Sequence, residues 1–388
     1  MQYRIKKVAV LGSGVMGSGI ACQLANVGLE VLMLDILPQK PIDTKTDRNR
    51  VAQNALNKAI KSKPAPLYKK EYASRILVGN LEDDFEKIND VDWIIEVVLE
   101  RLDIKRLIFE KVEKYRKPGS IVSSNTSSIP ISQLSQGRSE EFKKNFCGTH
   151  FFNPPRYLRL LEIIPIAETR DELVDFFMHF GQINLGKQTV LCKDTPAFIA
   201  NRIGVMSGVK VFDLTQKYDL SIEEVDALTG SLIGRPNTGT YRLQDLVGLD
   251  TGEKVTQFVI DNVKNDSFFE SVGKAPETKF ITFLLENNFL GNKTGKGFYH
   301  KTDQKDKKGK TIISALDLKT LEYRPSISPK NPIIKEARAI EKMQKRMSFL
   351  ICKECKESLF LKEYFTAIFA YSVQRVPEIS DQYYPVDD

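Results

Sequence analysis

No apolar run in the 388 residues approaches the roughly 18 that a membrane-spanning helix needs, so a helical membrane protein is not expected. Five cysteines without a framework of regular spacings argue against a disulfide-stapled secreted domain and for a reducing compartment. Neither sign of charge dominates. Lys and Arg number 57 against 50 Asp and Glu, and the net charge of +7 suits an acidic small molecule as well as nucleic acid. The basic residues lack interleaved aromatics and a recognised binding motif, which counts against a nucleic-acid module. Hydrophobic residues at 41% and charged residues at 28% exclude a wholly disordered or fibrous chain, and the length predicts two domains plus a remainder. Lys6 and Lys7 before a small apolar stretch imitate a signal peptide, but glycines and serines at fixed spacing interrupt that stretch. The C-terminal Pro-Val-Asp-Asp carries neither a prenylation cysteine nor a peroxisomal tripeptide, and a cytoplasmic location is expected.

In the first half, short β-rich runs at 8–11, 31–34, 92–98, 120–123 and 145–152 alternate with helical stretches. Further strands are expected at 161–165 and 189–191. Such alternation predicts an α/β, doubly wound, mainly parallel sheet over 1–195. Helical spacing dominates from Pro196, so an all-α domain is expected over 196–300. The stretch 301–310 holds five Lys and two Asp with almost nothing apolar, and prolines follow; 301–332 therefore reads as a basic, solvated connector. Residues 333–388 are helical again. The segment 40–75 is a basic insertion after the second strand.

Gly12-Ser13-Gly14-Val15-Met16-Gly17 fits GxGxxG between a β-run and an apolar-periodic helix, the context that makes the pattern informative. Gly12 permits the tight turn, Gly14 lets a pyrophosphate approach, and Gly17 lets helix and strand pack closely. The helix is expected to start near Gly17, and its N-terminus, with Val15 and Met16 in the loop leading into it, offers N–H groups to phosphate. Asp35 closes the second strand where a carboxylate accepts from a ribose diol; no Lys or Arg follows until Lys40, so NAD is favoured over NADP. Of the three histidines, His179 and His300 sit among ordinary neighbours. His150 ends a β-run, and the prolines at 154 and 155 force a turn into a strand bearing Glu162. Two strands joined in this way bring Glu162 beside His150, where a carboxylate fixes the imidazole tautomer and stabilises imidazolium. Cys352 and Cys355 form a lone CxxC; tetrahedral zinc needs four ligands, and no metal is expected.

Ser123-Ser124-Asn125-Thr126-Ser127-Ser128, then His150-Phe151-Phe152-Asn153-Pro154, Glu162 and Lys193-Asp194-Thr195-Pro196-Ala197-Phe198-Ile199-Ala200-Asn201-Arg202 resemble the L-3-hydroxyacyl-CoA dehydrogenase family. Gly295-Lys296-Gly297-Phe298-Tyr299 resembles the end of that family's first helical domain. The resemblance implies His150 as catalytic base, Glu162 as its partner, and Ser127 and Asn201 as hydrogen-bonding groups for the substrate's oxygens. It makes Glu100, Lys105 and Asn125 cofactor-side residues beside the glycine loop and Asp35. It implies NAD as cofactor, an acyl-CoA substrate and a homodimer. It further suggests the N-terminal part of a longer multifunctional enzyme with an enoyl-CoA hydratase. On that basis 333–388 reads as a partial second helical unit whose apolar face has lost its cover. Asn237-Thr238-Gly239-Thr240-Tyr241 departs from the family's Gly-Pro-Phe-Glu-like run. Two other readings stay open: a dehydrogenase of free 3-hydroxy acids and a non-catalytic NAD-binding protein. The first expects a Lys with an Asn one helical turn later, whereas Lys210 is followed there by Leu214.

Overall fold

Strands rich in Val and Ile, buried on both faces, form the centre of the first of two compact units. The structure is a computed structural model and describes residues 3–39, 48–275, 278–306 and 308–387. One unit comprises Met1–Ile199 with Arg375–Asp388, the other Ala200–Gln374.

Lys7–Leu11 (β1), Glu30–Asp35 (β2), Ile76–Asn80 (β3), Trp93–Glu96 (β4), Ile121–Ser124 (β5), Phe146–Phe151 (β6), Leu160–Pro165 (β7) and Gln188–Leu191 (β8) make one sheet. The spatial order is β3-β2-β1-β4-β5-β6-β7-β8. Pairing is parallel throughout except between β6 and β7, which run antiparallel. In β4, β5 and β6 every residue is buried, as expected of strands covered by helices on both faces. Val15–Asn26 (α1) follows β1, Leu102–Tyr115 follows β4, and Asp171–Ile183 runs towards β8. Trp93 of β4 is fully buried against Phe177 and Phe180 of that last helix, with ring centroids 5.0 and 6.2 Å apart. Aromatic pairs of this kind carry much of a core's buried area.

The basic insertion lies partly outside the described residues, at 40–47. Its remainder packs on the first unit. Ala52, Leu56 and Ala59 of the helix Arg50–Lys61 are buried. Asn26 donates to the Pro66 carbonyl and accepts from Tyr68 N–H. Arg156 donates to the Ala65 and Leu67 carbonyls.

In the second unit, Ala200–Lys217 leads a set of helices, and Ser221 and Glu224 form a capping box on the helix Ile222–Thr229. The segment that departs from the family's run is held by Asp226, which accepts from Tyr241 and Arg242 N–H at 2.6 and 3.2 Å and from the Tyr299 hydroxyl at 2.7 Å.

One expectation is corrected here. The stretch 301–332 is no plain connector: Tyr299–Lys305 (β9), Thr311–Leu316 (β10) and Tyr323–Pro325 (β11) form an antiparallel sheet of order β11-β10-β9. Within 333–374 part of the apolar surface is covered inside the unit, while Leu359, Phe369 and Val373 stay exposed. On the helix Lys356–Ile379, Phe360, Leu361 and Tyr364 are fully buried. The Tyr364 hydroxyl shares a hydrogen bond with Ser207, and Tyr371 sits between Arg202 and Asp266.

Candidate active site

The sheet reverses its winding between β1 and β4, and ligands of open α/β sheets bind outside the carboxyl ends of the strands at such a switch point. Both loops that leave this point are built for close approach. Gly12 has φ +107, and a Cβ there would stand 2.5 Å from the Val97 carbonyl oxygen. A Cβ on Gly17 would stand 1.9 Å from the Gly12 oxygen, whereas nothing lies within 4 Å of one on Gly14. The turn therefore needs Gly12 and Gly17 for its own geometry, and Gly14 leaves its surface bare. The N-terminus of α1 has no side-chain cap and no acid in its first turn, so Val15 and Met16 open a helix end suited to a phosphate. Asp35 ties the second strand to this turn: Oδ2 accepts from Ser13 N–H and Oγ at 2.6 and 2.5 Å, and Oδ1 accepts from Ile36 N–H at 2.7 Å. A bare glycine, an uncapped helix end and a strand-end carboxylate fit the pyrophosphate and ribose of a dinucleotide.

The loop after β4 and the loop after β5 meet through charge. Glu100 Oε1 accepts from Thr126 Oγ1 at 2.5 Å, Ser127 N–H at 3.1 Å, Ser128 N–H at 3.2 Å and Ser128 Oγ at 2.8 Å. Burial would raise the Glu100 carboxyl, but the Lys105 ammonium and the Thr126 and Ser128 hydroxyls outweigh it and hold it below the usual carboxylate range. Lys105 is 1% exposed, and its ammonium reaches Glu96 at 2.6 Å, Glu100 at 3.2 Å and the Val98 carbonyl at 3.4 Å. It stands behind Glu100 as a support for this loop. Asn125 likewise faces inward: its Oδ1 accepts from Phe151 N–H at 2.8 Å and locks the end of β5 to the end of β6. Ser127, half-buried, lies on the turn that Glu100 holds.

His150 and Glu162 are directly opposite each other in the β6–β7 ladder, and His150 Nδ1 lies 2.7 Å from Glu162 Oε2. His150 is 4% exposed and Glu162 fully buried. An ionised carboxylate can only accept, so the proton sits on Nδ1 and Nε2 is the nitrogen with a lone pair to offer. Glu162 Oε1 accepts from Ile199 N–H at 3.1 Å. The Phe152 and Phe198 rings flank the imidazole at 4.3 and 5.8 Å. Ala197 and Phe198 have φ of 64° and 51°, a left-handed pair that delivers Ile199 to Glu162. Asp194 accepts from Ile131 and Ser132 N–H at 2.6 and 2.8 Å and so fixes the same segment to the short helix Ile131–Leu134 that follows β5.

Asn201 occupies the first turn of the helix Ala200–Lys217, in the second unit. His179 is exposed and His300 half-buried on β9. Cys352 is exposed, and Cys355 donates to Ser358 Oγ at 3.4 Å. Among the described residues no cluster of three or more His, Cys, Asp or Glu is placed to hold a metal, and no helix is long and apolar enough to cross a membrane.

Sequence reasoning missed Glu96, Ser13 and the carbonyl-bound Lys187. Glu96 hides in the run Trp-Ile-Ile-Glu; its signal is an acid at the carboxyl end of an otherwise apolar parallel strand. Lys187, 4% exposed, donates to the Pro155 and Leu158 carbonyls and so holds the turn after His150; burial lowers its pKa to about 8.

Residues 7–195 match the family model "3-hydroxyacyl-CoA dehydrogenase, NAD binding domain", and 198–301 match "3-hydroxyacyl-CoA dehydrogenase, C-terminal domain". A Bacillus subtilis protein named probable 3-hydroxyacyl-CoA dehydrogenase is 44% identical over 397 residues, covering 100% of this chain and 49% of the relative. A Rickettsia prowazekii protein named putative fatty acid oxidation complex trifunctional enzyme is 32% identical over 387 residues, covering 100% of this chain and 51% of the relative. The chain thus spans about half the length of both. The crystal structure of a (S)-3-hydroxybutyryl-CoA dehydrogenase from Ralstonia eutropha is similar with a TM-score of 0.60 at 28% identity, over 76% of this chain and 98% of that one.

Proposed function

The chain belongs to the 3-hydroxyacyl-CoA dehydrogenase family, and we propose that it oxidises (S)-3-hydroxyacyl-CoA to 3-ketoacyl-CoA with NAD. The setting is fatty-acid oxidation, the process in the name of the Rickettsia relative. The observation that carries this reading is the His150–Glu162 contact of 2.7 Å, at the carboxyl end of a strand parallel to β5.

His150 Nε2 takes the proton from the substrate's 3-hydroxyl while Nδ1–H stays on Glu162. The buried carboxylate stabilises the imidazolium as it forms and keeps the ring from turning. A bound NAD would supply the acceptor for the hydride from C3, and the proton of the hydroxyl goes to His150 Nε2. The Gly12–Gly17 turn and Asp35 hold the dinucleotide, and Glu100 keeps Ser127 in place for the substrate's oxygen. The substrate's CoA moiety is the natural counterpart of the chain's basic residues.

NADH consumption tests the proposal with acetoacetyl-CoA, with free acetoacetate, and with NADPH in place of NADH. Turnover is expected with the thioester and NADH only. His150→Gln should lower kcat by roughly 10²–10⁴, the usual contribution of a general base, at unchanged NADH affinity. Near-normal turnover in that variant rules the mechanism out.

A further inference from the structure

Glu96 is the most buried charged group near the cofactor loops, and no step above uses it. Its side chain is 0% exposed, yet both oxygens are fully engaged. Oε1 accepts from Lys105 Nζ at 2.6 Å and from Val98 N–H at 2.7 Å. Oε2 accepts from Ser124 Oγ at 2.5 Å, and Ser124 Oγ in turn accepts from Thr126 N–H at 3.1 Å. Two routes therefore lead from one carboxylate to one turn. The first runs through Lys105 and Glu100 to the N–H groups of Ser127 and Ser128. The second runs through Ser124 to Thr126.

We propose that Glu96 is a positioning residue for the reaction: by these two routes it fixes the 126–128 turn and thereby the place of Ser127. The inference rests on the reading above that Ser127 bonds the substrate's oxygen. A buried ammonium needs a full set of acceptors. With Glu96 in place, Lys105 has Glu96, Glu100 and the Val98 carbonyl to share its protons. Remove the Glu96 charge and Glu100 becomes the sole carboxylate for Lys105. Glu100 is then drawn towards the ammonium and releases the N–H groups of the turn. Ser124 loses its acceptor at the same time, so the turn loosens from both sides.

Stability alone cannot be the readout, because breaking a buried ion pair destabilises any fold. A double-mutant cycle separates the two roles. Kinetics with acetoacetyl-CoA and NADH are measured for E96Q, S127A and E96Q/S127A, with NADH binding by fluorescence and thermal unfolding followed in parallel. E96Q should lower kcat by about 10–100-fold, the range for groups that orient a functional residue. In the S127A background the same change should cost less than about threefold, because the group it positions is already gone. E96Q/K105M removes the unpaired ammonium; it should regain thermal stability and, with Glu100 no longer drawn off the turn, part of the lost kcat, and combined with S127A it carries the cycle if E96Q alone does not fold. An E96Q loss that is as large in S127A as in the wild type overturns the proposal, as does wild-type kcat in E96Q. Wild-type turnover in S127A alone removes the premise, and with it the inference, and that single arm tells the two failures apart.

Discussion

At the scale of single residues, the Asp35 carboxylate joins one observed task to one proposed. It holds Ser13 of the glycine turn, and it stands where a ribose diol needs an acceptor. Beyond it, Ile36, Leu37, Pro38, Gln39, Arg50 and Val51 line an open cavity. Arg50 is a cation that reading outward along the chain from Asp35 did not bring to this wall. Asp35→Ala should weaken NADH binding by about tenfold and raise the NADPH/NADH ratio of kcat/KM, since the charge that repels a 2′-phosphate goes. Wild-type use of NADPH on a par with NADH refutes this account of Asp35. The glycines were legible because sterics alone dictate them: two of the three have no room for a Cβ. His150 and Glu162 were legible because two adjacent strands and a short proline turn leave few ways to pair. Glu96 was not, since an acid inside an apolar run gives no hint of the ammonium nine residues later that makes it tolerable.

At the scale of elements, the strands that periodicity found are those buried on both faces, and those it missed lie at edges or in the small second sheet. β3 sits at the sheet edge with Leu77 59% exposed, and it follows a basic insertion that masks it. β9 reads Tyr-His-Lys-Thr-Asp-Gln-Lys, a run whose lysines and aspartate resemble a linker until β10 pairs with it and buries Ala315 and Leu316. The tail helix was legible as a helix but not in its role. Tyr371 OH lies 2.9 Å from Arg202 Nε and 2.7 Å from Asp266 Oδ2, and that carboxylate also caps the helix Ser267–Lys274. Tyr371→Phe should lower the unfolding free energy by about 1–3 kcal/mol in urea titrations, the cost of leaving buried polar groups without a partner. An unchanged midpoint and slope speak against a structural task for this helix within the second unit.

At the scale of the whole molecule, stability should depend on pH through two buried carboxylates. Burial raises Asp226 and Asp245 to about 6 from 3.8, against the backbone hydrogen bonds that both accept and the Tyr299 hydroxyl on Asp226. Between pH 4 and 6 the native state therefore binds more protons than the unfolded chain, and stability falls as pH rises through that window. The contribution is fully present below about pH 4 and lost above about pH 6; for the two groups it is on the order of 5 kcal/mol. Urea midpoints should drop from pH 5 to pH 7, and Asp226→Asn with Asp245→Asn should flatten the slope over that interval. A midpoint that climbs steadily through it contradicts the assignment.

The antiparallel turn-back of β7 onto β6 has a consequence for how such a site can change over generations. The His150–Glu162 partnership is encoded by ladder register, with the two residues directly opposite. Side chains alternate faces along a strand, so a single-residue deletion inside either strand would shift the register by one and carry one partner to the far side of the sheet. The connecting segment between residues 151 and 160, with its two prolines and the Lys187 ammonium on the Pro155 and Leu158 carbonyls, helps to set that register. Descendants of this gene are thus held to the length of that turn as well as of the two strands, and change at this site is left to substitutions that keep both lengths. One-residue deletions within 146–151 should abolish NADH consumption and changes of length across residues 156–159 should lower it sharply, whereas same-length substitutions at the exposed Arg159 should be tolerated.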